Sequence, residues 1–280
     1  MGSQAAPCSA RGNFLSPRRG WRWLTVAALI VLAAADVESR NDPRPSSPCA
    51  IAYPSDSAVR WDCRRLRPGE TLERAFGERW KDVARFNRID RRHASSGAAL
   101  KIPTRLEDVK DFTPLPLRYP SADTDAQFIL VDLSEQFLGA YEYGRLVFSA
   151  PAATGEQGNE TPTGDFRVTA ANRRHRSSLF TIEGTDIPYP MNYALMFYTN
   201  IEGINYWIHG RDIPGYPASH GCIGLYDEEM QQTYYGAPST PVLDDARILY
   251  RWVMGPRADR ESAQAVMAGP RLLIVGRAPP

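Results

Sequence analysis

Cys222 stands two residues after His220 and thirteen after His209, in the runs Ser219-His220-Gly221-Cys222-Ile223 and Ile208-His209-Gly210. It is the only cysteine in the C-terminal half, and two of the four histidines of the chain accompany it. A thiol attacks well only as a thiolate, and imidazole is the side chain suited to taking its proton near neutral pH. Both histidines adjoin glycine, where backbone can approach a substrate closely. Gly221 would let N–H groups of its own loop face a developing oxyanion. The chemistry this arrangement predicts is acyl transfer through a cysteine nucleophile. A lone cysteine is more often a small buried hydrophobe and a lone histidine a structural residue, so the pairing carries the reading. A zinc site built from His209, His220 and Cys222 is the rival. It lacks a fourth ligand and any C-x-x-C pair, so neither metal nor cofactor is expected.

These two runs, in this order, resemble the signature of the L,D-transpeptidase (YkuD-type) catalytic domain. Upstream, Gly155 followed by Thr161-Pro162-Thr163-Gly164-Asp165-Phe166 resembles the T-P-x-G-x-F segment of the same family. The resemblance spans Asp125 to Gly276. It implies an enzyme of bacterial peptidoglycan whose Cys222 forms a thioester with a stem tetrapeptide donor. His209 is then the base, its imidazole held by the backbone carbonyl of Gly210. His220 and Ser219 support the loop, and the N–H groups of Gly221 and Cys222 form the oxyanion hole. Tyr198, Tyr206 and Arg211 are the candidate substrate-binding residues. Two departures stand out. Gly224 occupies a position where the family usually has Arg or Asn, and Arg211 is the residue that could substitute. The spacer from His209 to Cys222 is short, which predicts a trimmed lid. A neighbouring stem, a protein lysine or a free D-amino acid could each be the acceptor. The alternatives are a hydrolase on the same scaffold, with water as acceptor, and a wall-binding protein with a vestigial catalytic domain.

The elements that must position this site are mainly β. Phe128–Leu133, Phe137–Tyr143 and Leu146–Ser149 read as a meander of short strands. Phe166–Thr169, Tyr193–Phe197 and Tyr206–His209 supply further strands, and Leu272–Val275 a last one. One helix is expected over Asp244–Val253, where Ala246, Leu249, Tyr250 and Val253 share a face. The expected fold is therefore an L,D-transpeptidase-type β-sandwich over 125–280. Ahead of it, 59–104 reads as a small βααβ unit: a strand near Val59–Leu66, a helix capped by Thr71, a second helix through Trp80 to Asn87, and the strand Leu100-Lys101-Ile102-Pro103. Its Pro68-Gly69-Glu70-Thr71-Leu72 opening, Asn87 and the closing Leu-Lys-Ile-Pro resemble a LysM peptidoglycan-binding module. That resemblance implies glycan binding; a purely positioning role is the plain alternative. The stretch Arg88–Arg92 is unusually basic. The proline-containing stretches 36–58 and 105–124 read as linkers.

Composition narrows the partners. A net charge of +1 on 280 residues gives no electrostatic case for nucleic acid. Residues 1–35 read as an export signal or an uncleaved N-terminal anchor. Arg11, Arg18, Arg19 and Arg22 precede an uncharged twelve-residue run, Leu24–Ala35. That run is short for a membrane span, so membrane contact is expected only through this segment. The protein is thus expected in the periplasm or cell envelope. Cys8 falls within the segment, leaving Cys49, Cys63 and Cys222. Cys49 and Cys63, fourteen residues apart, would pair in an oxidising compartment; two unpaired buried thiols are the alternative. The cysteine left over is Cys222, a candidate free reactive thiol.

Overall fold

The computed structural model describes residues 47–280. The export segment expected over 1–35, and the first part of the 36–58 stretch, lie outside the described residues. No helix among the described residues is long and apolar enough to cross a membrane.

The first part runs β1 (Trp61–Arg65), α1 (Leu72–Phe76), α2 (Trp80–Phe86) and β2 (Ala99–Pro103), with β1 and β2 paired antiparallel. Thr71 caps α1 by accepting the Arg74 N–H on its hydroxyl at 3.3 Å. Leu66, Leu72, Val83 and Leu100 are buried together beneath the two helices. Asn87 ends α2 and ties it to β2. Its amide donates to the Val83 and Lys101 carbonyls at 2.9 and 2.8 Å, and it accepts the Lys101 N–H at 2.7 Å. Cys49 and Cys63 are joined in a disulfide with their Cα atoms 6.0 Å apart.

The larger part holds two five-stranded sheets. Its elements are β3 (Phe128–Asp132), β4 (Phe137–Glu142), β5 (Arg145–Pro151), β6 (Gly164–Arg167), β7 (Ala170–Thr181), β8 (Pro188–Thr199), β9 (Asn205–Arg211), β10 (Ile223–Tyr226), α3 (Glu228–Tyr235), α4 (Asp245–Met254), β11 (Gln264–Ala265) and β12 (Arg271–Val275). One sheet runs β10-β9-β8-β7-β11, the other β5-β4-β3-β12-β6. Ile129, Val131, Leu138 and Ala140 of the second sheet share one core with Leu195, Phe197, Ile208 and Ile223 of the first. Burying both inner faces is what holds two such sheets together. The helix α4 lays Ala246, Leu249, Tyr250 and Val253 into the same core, the face its 3.6-residue period predicts.

Four elements were not expected from the sequence: β7, β10, α3 and β11. Asn172 to Ser178 of β7 has no apolar alternation, because both of its faces are largely outside the core; it is a strand through pairing with β8. The strand β10 has only four residues. Asp227 starts α3 by accepting the Met230 N–H at 2.9 Å.

The described residues of the stretches read as linkers are packed. Tyr53 and Leu115 are buried, and Tyr119 stacks on Phe128 with ring centroids 5.3 Å apart. Residues 43–280 form one compact unit. The basic stretch after α2 explains this. Arg88 is fully buried, its guanidinium 3.0 Å from Glu135 and 4.0 Å from the centroid of the Tyr53 ring. Arg85 pairs with Asp245 at 2.7 Å, and Arg91 pairs with Glu228. The Asp90 backbone N–H donates to the Ile213 carbonyl at 2.8 Å, and its carboxylate accepts from Ile213 N–H at 2.7 Å and Gln231 Nε2 at 2.6 Å. The charges of this basic stretch are thus spent on docking: its arginines meet carboxylates, and Asp90 meets N–H donors, from the larger part.

Candidate active site

The strand β9 presents Trp207, His209 and Arg211 on one face, as the two-residue period of a strand requires. The parallel neighbour β10 begins directly after Cys222, in register Ile223 to Ile208 and Gly224 to His209. Cys222 therefore sits beside Trp207, and it packs against Met191, Ala194 and Trp207. Cys222, His209 and His220 line one cleft of about 640 Å³, roofed by the β7–β8 hairpin. Cys222 is the only free cysteine among the described residues and is partly buried.

His209 is buried, 3% exposed. Its Nδ1 lies 2.8 Å from the Gly210 carbonyl oxygen. A carbonyl only accepts, so Nδ1 carries the hydrogen and Nε2 keeps the lone pair. Burial, with Arg211 second, pushes His209 down to about 3. Burial pushes the Cys222 thiol up, against a backbone hydrogen bond at Trp207 and the nearby Arg211 charge. The resting pair is a neutral thiol and a neutral imidazole with its base nitrogen free.

The loop carrying Cys222 is latched from both sides. Ser219, fully buried, donates its hydroxyl to the Cys222 carbonyl at 2.5 Å and accepts the Gly221 N–H at 3.1 Å. Thr161 donates to the Gly221 carbonyl at 2.9 Å while accepting the Gly155 N–H at 2.9 Å. Gly221 has φ of +105°, and a Cβ there would stand 2.5 Å from the Tyr206 ring. Only glycine fits. The Gly221 N–H is thus engaged by Ser219, a bond that must open before the group can face a substrate. Gly210 is equally constrained, since a Cβ there would meet the Asp227 side chain, with its Cβ only 2.6 Å away.

Other expected residues divide. His220 stacks on Phe180 of the hairpin, centroids 4.2 Å apart at 19°, with Nε2 3.8 Å from Glu156. Tyr206 and Arg211 line the cleft. Tyr198 does not; it packs on Phe166 and Tyr206, centroids 5.3 and 5.5 Å away. Arg211 lies across Gly224: a side chain at 224 would occupy the space of its Cγ and Cδ. Its Nε donates to the Asp212 carbonyl at 3.2 Å and its Nη2 to the Ala218 carbonyl at 2.9 Å. The missing side chain at 224 is replaced by one reaching over from the next strand. The hairpin β7–β8 contributes Ser177 to Thr181 to the cleft lining, and the His209–Cys222 spacer contributes Arg211, Asp212 and His220.

Two features escaped the sequence. His175 of β7 lines the cleft with its ring 4.4 Å from the Trp207 ring, and burial pushes its pKa down. It sits in a polar run without glycine or motif, so only the pairing of β7 with β8 brings it there. Arg92, from the segment after α2, lines the cleft as well. Asp90, His93 and Asp212 lie close enough to suggest a metal cluster. Their carboxylates already accept N–H donors: Asp90 from His93, Ile213 and Gln231, and Asp212 from Arg92 and Gln231. The lone pairs a cation would need are occupied.

Fold and cleft together define a β-sandwich with a thiol and a buried neutral imidazole on adjacent parallel strands. Residues 126–253 match the family model of the L,D-transpeptidase catalytic domain, YkuD. That match covers a little under half of the 280 residues. Among curated proteins, none matches. An L,D-transpeptidase from Xylanimonas cellulosilytica is 20% identical at a TM-score of 0.41, covering 76% of this chain and 98% of its own. One from Stackebrandtia nassauensis is 18% identical at 0.36, covering 72% and 69%. L,D-transpeptidase 1 of Mycobacterium tuberculosis is 17% identical at 0.34, covering 54% and 62%. The chain thus spans less than two thirds of the mycobacterial protein it matches. Likenesses of this size carry nothing about activity or substrate.

Proposed function

We propose that this protein is an exported cysteine L,D-transpeptidase acting on peptidoglycan stem peptides. The observation that carries the reading is that Cys222 and His209 line one cleft, with the His209 base nitrogen left free by the Gly210 bond. The Cys222 proton passes to His209 Nε2 as the sulfur attacks a peptide carbonyl. The C–S bond forms, the C–N bond breaks, and the leaving amine takes the proton from His209. An acceptor amine then attacks the thioester, gives its proton to His209, and returns the thiolate to thiol. Both steps balance without metal or redox cofactor. The Cys222 N–H is the remaining candidate for holding the oxyanion, joined by Gly221 if its bond to Ser219 opens. Arg211 binds substrate. Acceptors from a neighbouring stem to a protein lysine, or water in a hydrolase, all use this thioester.

The segment 59–104 is proposed to bind glycan in the manner of a LysM module. Its Arg88–Arg91 stretch is docked on the larger part, so any glycan groove lies elsewhere on the segment. That docking favours a positioning role beside the binding one.

The test is intact-protein mass spectrometry of the full chain with and without a carbapenem, beside Cys222→Ala. A single adduct lost in the variant supports the reading. No adduct on folded protein with Cys222 reduced would move it to a wall-binding protein.

A further inference from the structure

Three imidazoles line the cleft, and the acyl-transfer reading uses one of them, His209, as its base. His220 is stacked on Phe180 with its Nε2 toward Glu156. His175 remains. It lies within β7, directly opposite Met191 of β8, and its ring centroid is 4.4 Å from that of Trp207. Cys222 packs against Met191 and Trp207, so His175 and Cys222 share both neighbours. Its influence reaches His209 too, whose pKa is lowered by burial first, then by Arg211 and His175. The flanking Arg174 and Arg176 fall on the opposite face of β7, where with Glu229 and Tyr234 they line a second hollow of about 300 Å³. The His175 ring is half-buried, and burial lowers its pKa, so it is neutral near pH 7. Among the described residues its one polar contact is with Asn172, whose Nδ2 is 3.5 Å from His175 Nδ1, at the limit of a hydrogen bond. Of the carboxylates on the cleft wall, Asp212 is held by Arg92 and Gln231. Glu183 and Glu202 belong to the turns of the β7–β8 and β8–β9 hairpins. His175 is thus a neutral base without a fixed partner, one shared neighbour away from Cys222.

Counting protons shows what such a base can do. An amine acceptor arrives near neutral pH as an ammonium ion, because aliphatic amines titrate at about 8–10. Turning it into an amide removes two protons from one nitrogen. The first must leave before attack, to free the lone pair. The second leaves as the C–N bond forms and the C–S bond breaks, and it passes through His209 to the Cys222 sulfur. His209 is occupied by that second proton, so the first needs another acceptor. Water carries no extra proton and needs one base only. The burial that lowers an imidazole lowers a bound ammonium as well, which brings donor and acceptor of the first proton together.

We propose that His175 is a second catalytic base, which takes from a protonated acceptor amine the proton that His209 cannot. The freed amine then attacks the thioester, and the His175 imidazolium returns its proton to solvent through its exposed edge. The overall step turns ammonium and thioester into amide, thiol and one proton. His175 thereby favours transfer to amines over hydrolysis, a choice of acceptor that Cys222 and His209 alone do not make. This rests on the acyl-transfer reading of Cys222.

The experiment uses the full chain, acylated at Cys222 by a synthetic tetrapeptide donor, and follows loss of the acyl-enzyme by mass spectrometry. Wild type is compared with His175→Gln and with His175→Phe, which keeps a ring against Trp207. Three acceptors are offered at neutral pH: a free D-amino acid, which arrives as ammonium; methoxyamine, whose amine is already neutral; and water. Both variants are expected to form the acyl-enzyme at the wild-type rate. Transfer to the D-amino acid is expected to fall about 10²-fold, within the range of general-base catalysis, while transfer to methoxyamine and hydrolysis stay as in wild type. Slower acylation, or equal slowing with all three acceptors, would make His175 a structural residue and overturn the second base. Unchanged transfer to the D-amino acid, or a wild type that transfers to neither amine, would also overturn it and leave acylation of Cys222 standing. Wild type that forms no acyl-enzyme, while iodoacetamide still alkylates Cys222, would remove the transpeptidase reading and the second base with it.

Discussion

At the scale of single residues, the site is a question of where two protons sit. Burial works on both partners in the direction that keeps them neutral: the Cys222 thiol goes up and His209 goes down to about 3. Protonated imidazole is therefore scarce across the neutral range, and thiolate appears only in alkaline solution. Alkylation of Cys222 by iodoacetamide, followed by mass spectrometry against pH, should show no step at the ordinary histidine value of about 6.5 and should climb only in the alkaline range. A plateau of fast alkylation starting near 6.5 would reveal a thiolate–imidazolium pair and contradict the neutral site. Substitution His209→Gln removes the base but keeps a side chain for the Gly210 carbonyl. Donor turnover should fall about 10²- to 10⁴-fold, with alkaline alkylation retained. His209 and Cys222 were legible from sequence because their residue types are rare in this chain and glycines flank both. His175 was not, because a histidine in a polar run carries no local signal.

At the scale of elements, glycines and hydroxyls position Cys222 and His209. Gly210 has no room for a Cβ against Asp227 at the start of α3. Gly210→Ala must push β9 from α3 and move His209 with it; thermal unfolding should drop by several degrees, and donor turnover should fall more than the stability loss explains. The Thr161 hydroxyl bridges Gly155 and Gly221, so Thr161→Val strands a buried N–H and a buried carbonyl. A cost of about 1–3 kcal/mol is expected in denaturant unfolding, with slower Cys222 acylation because the loop is no longer latched. An acylation rate equal to wild type would show that Ser219 alone holds the loop. The T-P-x-G-x-F resemblance picked out Thr161 without its role, since a hydrogen bond across sixty residues of sequence has no local trace. The strand β7 went unseen for a related reason: its pairing with β8 stabilises it, and Asn172 to Ser178 shows no apolar period.

At the scale of the whole molecule, the segment 59–104 packs against the larger part. The buried Asp90 carboxylate gathers N–H groups from His93, Ile213 and Gln231, and so pins the connection between His209 and Cys222. Asp90→Ala leaves these donors unpaired, an expected cost of about 3 kcal/mol, or roughly 6–12 °C in Tm for a unit of this size. Deleting 47–104 should abolish turnover of a small soluble donor, which a separable wall-binding module would leave untouched. Unchanged turnover by the truncated chain would restore the picture of two independent domains. The sequence by itself picked out Cys222 and His209, the glycines around them and the order of most strands, because these depend on residue type and short-range spacing. Only the tertiary structure decided that Arg211 fills the gap at Gly224, that Gly221 gives its N–H to Ser219, and that Arg88–Arg92 face the larger part. Each depends on which side chains meet across strands or segments distant in sequence. Pairing register and burial set those meetings, and no local pattern encodes them.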